Sequence, residues 1–147
     1  MQGAPSAPTP AGGGRPRIRA VLGDFDLDRV DALVRPVRPG PLDVGSTAVR
    51  PGRPPVIEVG SPAFSTREDR EYLLSRVYRA ALEAADSISA SRVAMPMVLA
   101  WKPWPLDSAI RVALGALEST PTQVREVVIL TATPAGLEAW AERLASR

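Results

Sequence analysis

The sequence predicts an α/β domain, a sheet layered between helices in α/β/α fashion. Three observations carry that. Short apolar runs of strand length recur along the chain, each stopped by Gly, Pro or charge. In the second half they alternate with longer stretches whose apolar residues recur at helical spacing. The run at 93–99, VAMPMVL, has the length and composition of a strand buried on both faces, as parallel sheets require.

The elements follow in order. Residues 1–16 are rich in Pro, Gly, Ala, Ser and Thr, with neither the basic start nor the apolar stretch of a secretory signal. They are expected to be a disordered tail, with the folded domain at 17–147. RIRAVL at 17–22 alternates and predicts the first strand, ended by Gly23. Residues 24–31 hold four aspartates; Asp-x-Asp-x-Asp starts like a calcium loop, but Arg29 and Arg35 stand where that loop needs Gly and Glu. Asp24 or Asp26 is expected to cap a short helix, leaving Asp28 and Asp31 solvated. ALV at 32–34 predicts a second short strand. Residues 35–55 hold six prolines and three glycines, which predicts a long irregular excursion with nothing beyond turns.

VIEV at 56–59 predicts a third strand. Ser65 and Glu68 match a capping box, opening a helix from 66 to about 87 with Leu74, Val77, Tyr78, Ala81 and Leu82 inward. Tyr72 and Tyr78 read as packing residues. The strand at 93–99 leads through Ala100-Trp101-Lys102-Pro103-Trp104-Pro105 into a helix at 106–117, with Ile110, Ala113 and Leu117 on one face. REVVILT at 125–131 predicts the last strand. Thr133-Pro134 is an N-cap followed by an N1 proline, opening a final helix with Leu137, Trp140 and Leu144 inward.

Composition narrows the chemistry. The chain of 147 residues has no Cys and no His. That removes disulfides, thiolate and imidazole chemistry, and the usual general base. No metal site, cofactor or catalytic residue is expected, and no apolar run is long enough to span a bilayer. A cytoplasmic location fits. The net charge is +2, with Arg15, Arg17, Arg19, Arg35, Arg38, Arg50 and Arg53 all early. That bias favours polyanions or reflects arginine-rich coding.

Leu22-Gly23-Asp24-Phe25 and Val30-Asp31-Ala32-Leu33-Val34, then Val56-Ile57-Glu58-Val59-Gly60-Ser61-Pro62, then Val93-Ala94-Met95-Pro96-Met97 with Pro105 and Ala109-Ile110, then the strand at 124–130, keep one order and spacing. Together they resemble the macro domain, the ADP-ribose-binding fold. The resemblance implies a mixed sheet with helices on both faces. It also implies that Asp24 matches the aspartate that accepts from the adenine amino group.

The family's ligand loops are altered here. Where the family has Asn-Ala-Ala-Asn, this chain has Arg35-Pro36-Val37-Arg38. The Gly-rich loop that follows is reduced to Val44-Gly45-Ser46. The second loop, Ser-Thr-Gly-x-Tyr/Phe-Gly in the family, is replaced by the Trp/Pro stretch. A phosphate cradle needs close-approaching amides, which Pro103 and Pro105 lack.

The resemblance therefore implies a degenerate, catalytically inactive recognition module. A nucleotide or ADP-ribose-like ligand would meet Asp24, Arg35, Arg38, Gly45, Ser46, Trp101, Lys102 and Trp104. One alternative is a protein-interaction module anchored on the loop at 100–105. Another is RNA or single-stranded nucleic-acid binding by stacking and arginine. The bland readings stay open: the tryptophans fill vacated space, Asp24 caps a helix, and Arg35 and Arg38 lie on a solvated loop.

Overall fold

The structure, a computed structural model, describes residues 14–147; most of the expected tail lies outside them. In chain order it holds β1 (Arg17–Leu22), a one-turn 3-10 helix (Leu27–Arg29), β2 (Ala32–Val37), β3 (Thr47–Arg50), β4 (Val56–Gly60), α1 (Arg70–Ser87), β5 (Arg92–Pro96), α2 (Leu106–Ser119), β6 (Glu126–Thr131) and α3 (Pro134–Ala145). The six strands form one sheet ordered β1-β6-β5-β2-β4-β3. Every pairing is parallel except that of β3 with β4. A mixed α/β sheet is the class that the sequence predicts.

Several local expectations need correction. The excursion at 35–55 is not irregular throughout: β2 continues to Val37, and β3 forms inside it, pairing Thr47 with Val59 and Arg50 with Val56. Pro36 is tolerated because β2 pairs with β5 only at Ala32 and Leu33, so the missing N–H falls beyond that ladder. α1 starts at Arg70, not in the mid-sixties: the Ser65 hydroxyl accepts from the Arg67 amide in a local turn instead of capping the helix. Asp26 does cap the 3-10 turn, accepting from Asp28 N at 3.0 Å. Asp31, expected to be merely solvated, accepts from the amides of Ser91 and Arg92, each at 2.9 Å, and fastens the start of β5. Tyr72 is exposed, with the Arg79 guanidinium 5.7 Å from its ring, and is not a packing residue. Thr133 caps α3 as expected, accepting from Gly136 N at 3.1 Å.

Alternation along the strands gives the sheet two faces. On one, Ile18, Ala32, Val34, Ile57, Val59, Val93, Met95, Val127 and Ile129 form a single apolar cluster with the inner faces of α1, α2 and α3. α1 lies over β4 and β3, α3 over β1 and β6, and α2 sits between the two helices. The layering is lopsided. On the second face, the crossover from β1 to β2 lays Phe25, Leu27 and Val30 over Ala94 and Val128. Among the described elements, that segment and its 3-10 turn are the whole second layer, so the half over β2, β4 and β3 stays open.

Candidate functional site

Five parallel strands end at one edge of the sheet, and in such sheets ligands collect beyond the carboxyl ends. Four chain segments that carry predicted site residues converge there. After β1 comes Gly23, whose amide donates to Thr131 O at 3.1 Å; its φ of +81° turns the chain into Asp24. Asp24 is exposed. After β2 comes Arg38, also exposed. Beside the end of β4 lie Gly45 and Ser46. After β5 runs the Trp/Pro loop. With the strand order β1-β6-β5-β2, Asp24 and Arg38 stand three strand spacings apart, about 14 Å.

The Trp/Pro loop is fastened from below. The Leu99 amide donates to the Tyr78 hydroxyl at 2.8 Å. Tyr78 is fully buried, and burial pushes its phenol well above its ordinary pKa, so at neutral pH it is a fixed neutral group. The Trp101 amide donates to Pro62 O at 3.2 Å, and the Trp104 indole N–H donates to the same carbonyl at 3.3 Å. Deeper in, the Trp140 indole donates to Met97 O at 3.0 Å. Tyr78, Pro62 and Trp140 thus position this loop. Helical spacing places Tyr78 and Trp140 inside, but nothing in the sequence pairs them with residues 21 and 43 positions away.

The two tryptophans part company. Trp104 is 8% exposed and meets Phe64 edge-on, with centroids 5.3 Å apart. It fills space and offers no stacking surface. Trp101 is 45% exposed, and Lys102 beside it is exposed as well. Gly45 and Ser46 do not form an open amide cradle: Gly45 N donates to Gly60 O, Ser46 N to Asp43 O, and Ser46 O accepts from Gly60 N, each at 2.9 Å. Gly60 is tightly held there, since a Cβ on it would strike Asp43 O. Arg35 does not sit on a loop at this edge. It lies within β2 on the open sheet face, ion-paired to Glu58, which also accepts from Arg50 Nε at 2.9 Å. Glu58 is 7% exposed, and its two arginines, Arg35 foremost, hold its carboxyl below the ordinary range.

The edge therefore presents Asp24, Arg38, Ser46, Trp101 and Lys102 as exposed residues, and withdraws Arg35, Trp104 and the backbone amides of Gly45 and Ser46. Among the described residues, no group of three or more carboxylates gathers to hold a metal, and no helix is long and apolar enough to cross a membrane.

No protein-family model matches the chain. The fold superimposes on a solved macrodomain of Oceanobacillus iheyensis with ADP, at a TM-score of 0.72 and 16% identity, covering 88% of this chain and 90% of that one. A macro domain-containing protein of Streptomyces coelicolor is 37% identical over 102 residues, 69% of this chain and 60% of that relative. The chain has the macro domain fold and resembles macro domain-containing proteins in sequence. A second macro domain-containing protein, from Streptomyces nogalater, is 34% identical over 85 residues, 57% of this chain and 47% of that relative. This macro domain thus spans less than two thirds of the length of either curated relative.

Proposed function

We propose that this macro domain is a recognition module without ADP-ribosyl hydrolase activity, binding a nucleotide-type ligand weakly or in an altered pose. The Oceanobacillus iheyensis macrodomain has been solved with ADP and with ADPR, which makes that ligand class the one to test. One observation carries the reading: in the two loops at the carboxyl edge, four amides already have protein acceptors and two positions carry no amide N–H at all. Leu99 N, Trp101 N, Gly45 N and Ser46 N all have protein acceptors, and positions 103 and 105 are prolines. Asp24 is left to accept from a base, Trp101 to stack on it, Lys102 to meet phosphate as a point charge, and Arg38 to meet it with a guanidinium fork. Arg38 is a permanent donor and cannot position water as a base.

Titration calorimetry with ADP-ribose tests this. The expected outcome is a dissociation constant in the millimolar range or no heat, and no release of ADP-ribose from a modified peptide. A micromolar constant, or turnover, overturns the reading. Any nucleotide that does bind should lose affinity on Asp24→Ala and on Trp101→Ala.

A second reading rests on a specific feature, the exposed apolar rim of the same loop. Trp101 is 45% and Phe64 41% exposed on either side of Pro62. Such a rim suits a protein partner, with tryptophan as an anchor. Under that reading, Trp101→Ala abolishes capture of the partner and leaves nucleotide titrations unchanged.

A further inference from the structure

The open half of the second sheet face is the feature that neither reading uses. Parallel strands are ordinarily covered on both faces. Here β1, β6 and β5 are covered by the crossover segment, whereas β2, β4 and β3 present Leu33, Arg35, Ala48, Arg50, Val56 and Glu58 outward by register. Ala48 and Val56 are half-buried, with no layer over them among the described elements, and Leu33, also half-buried, marks the border where the crossover cluster of Val30, Ala94 and Val128 ends. Glu58 is the one acid on these three strands. It is shared by two arginines whose side chains are 56% and 68% exposed. Arg50 engages it through Nε and Arg35 through one terminal nitrogen, which leaves guanidinium N–H groups on both aimed at solvent. Arg38 and Arg53, both exposed, flank the patch. Residues 32–60 thus carry four arginines against Asp43 and Glu58.

The chemistry of the occupant follows from that charge. A second copy would oppose arginines to arginines. Residues 1–13 contain no acidic side chain and so supply nothing complementary. Residues 32–60 contain no Phe, Trp or Tyr, so the patch has no platform on which to stack the bases of a single strand. What fits is an element that brings carboxylates to the spare guanidinium donors and apolar side chains to the strip between them, in the place where a parallel sheet holds a helix.

We propose that the open face over β2, β4 and β3 docks an acidic amphipathic helix of a partner protein. Its carboxylates pair with the outward donors of Arg35 and Arg50, and its apolar side chains cover Ala48 and Val56 up to the border at Leu33. Arg38 and Arg53 steer its approach.

The test uses the whole chain, isotopically labelled, titrated with an 18-residue helix-forming peptide that carries Glu and Leu along one stripe. The same peptide with Lys for Glu, a poly-uridine strand and a short duplex RNA complete the set. The expected result is amide shifts confined to β2, β3 and β4 with the acidic peptide and none with its Lys version. Arg35→Glu/Arg50→Glu should abolish the shifts but strands Glu58, so its fold is checked first. Arg53→Glu, away from the carboxyl edge, leaves the Glu58 cluster intact and should weaken binding about threefold, the equivalent of ~0.7 kcal/mol. No shifts with the acidic peptide, shifts elsewhere on the molecule, tighter binding of either RNA at these strands, or self-association through this face each overturn the proposal. None of these outcomes depends on whether the carboxyl edge binds a nucleotide.

Discussion

On one face of the sheet, three helices bury Ile57, Met95 and Ile129 completely. On the other, two glutamates each lie beneath a pair of arginines. Glu58 is held by Arg35 and Arg50; Glu126 is held by Arg19 Nε at 3.1 Å and Arg92 Nε at 2.7 Å. The Arg19 guanidinium also sits 5.6 Å from the Phe25 ring on the crossover segment. The closed face gains from apolar area removed from water, which salt and mild acid hardly touch. The second face, in its covered and its open half alike, carries ion pairs that solvent still reaches, and those are weak and sensitive to both. The lesson is one of division. Stability resides with the helices, and the open face is left with charge to spend on something else.

The largest break in that comparison comes from Trp140. It is fully buried on the closed face, and its indole also satisfies Met97 O at 3.0 Å. Trp140→Ala opens a cavity and orphans that carbonyl, at a cost of about 4 kcal/mol. In a chain of this size that lowers the melting temperature by roughly 10 °C. A loss below ~1 kcal/mol in urea unfolding would mean that α3 is not integral to the closed face.

The next effect divides the Trp/Pro loop itself. Trp104→Ala removes an indole that is 8% exposed, packs on Phe64 and donates to Pro62 O, and should cost about 3 kcal/mol. Trp101→Ala, three residues away, removes a side chain that is 45% exposed and should stay within ~0.5 kcal/mol of wild type. Paired thermal melts decide it. Equal losses would show that Trp101 packs as Trp104 does, and would remove it as a candidate contact for ligand or partner.

These contrasts also show what a sequence can carry. The strands at 56–60 and 126–131 and the inner faces of α1, α2 and α3 were legible, because burial leaves a period in the apolar residues. β3 was hidden. Its four residues lie among prolines and acquire their ladder only from β4, although Thr47 and Val49 do carry the β-branched character of a strand. Trp101 and Trp104 are alike by composition and spacing; which is buried depends on a carbonyl at residue 62. Gly45 and Ser46 look like a phosphate cradle as residue types. Their amides are consumed at Gly60 and Asp43, which pairing alone determines. Asp31 reads as a solvated acid because its partners, the amides of Ser91 and Arg92, lie some sixty residues away.

The smallest effect is the most direct probe of the open face, since it lies in the shape of a pH profile rather than in its height. Arg35 first and Arg50 second hold the Glu58 carboxyl below its ordinary value of 4.5, against an opposing contribution from burial. A carboxylate whose pKa is lower folded than unfolded adds stability that is complete above the unfolded value and is lost as pH falls through the folded one. Glu58→Gln lacks that contribution. The stability gap between wild type and Glu58→Gln should therefore be level from neutral pH down to about 5 and close progressively below 4.5. Added salt should narrow the same gap at neutral pH, because both arginines are more than half exposed. The gap for Trp140→Ala should respond to neither. Urea midpoints measured across the pH range for all three proteins compare the two faces in one experiment. A Glu58→Gln gap that ignores acid and salt would place Glu58 with the closed face and remove the electrostatic basis for the open one.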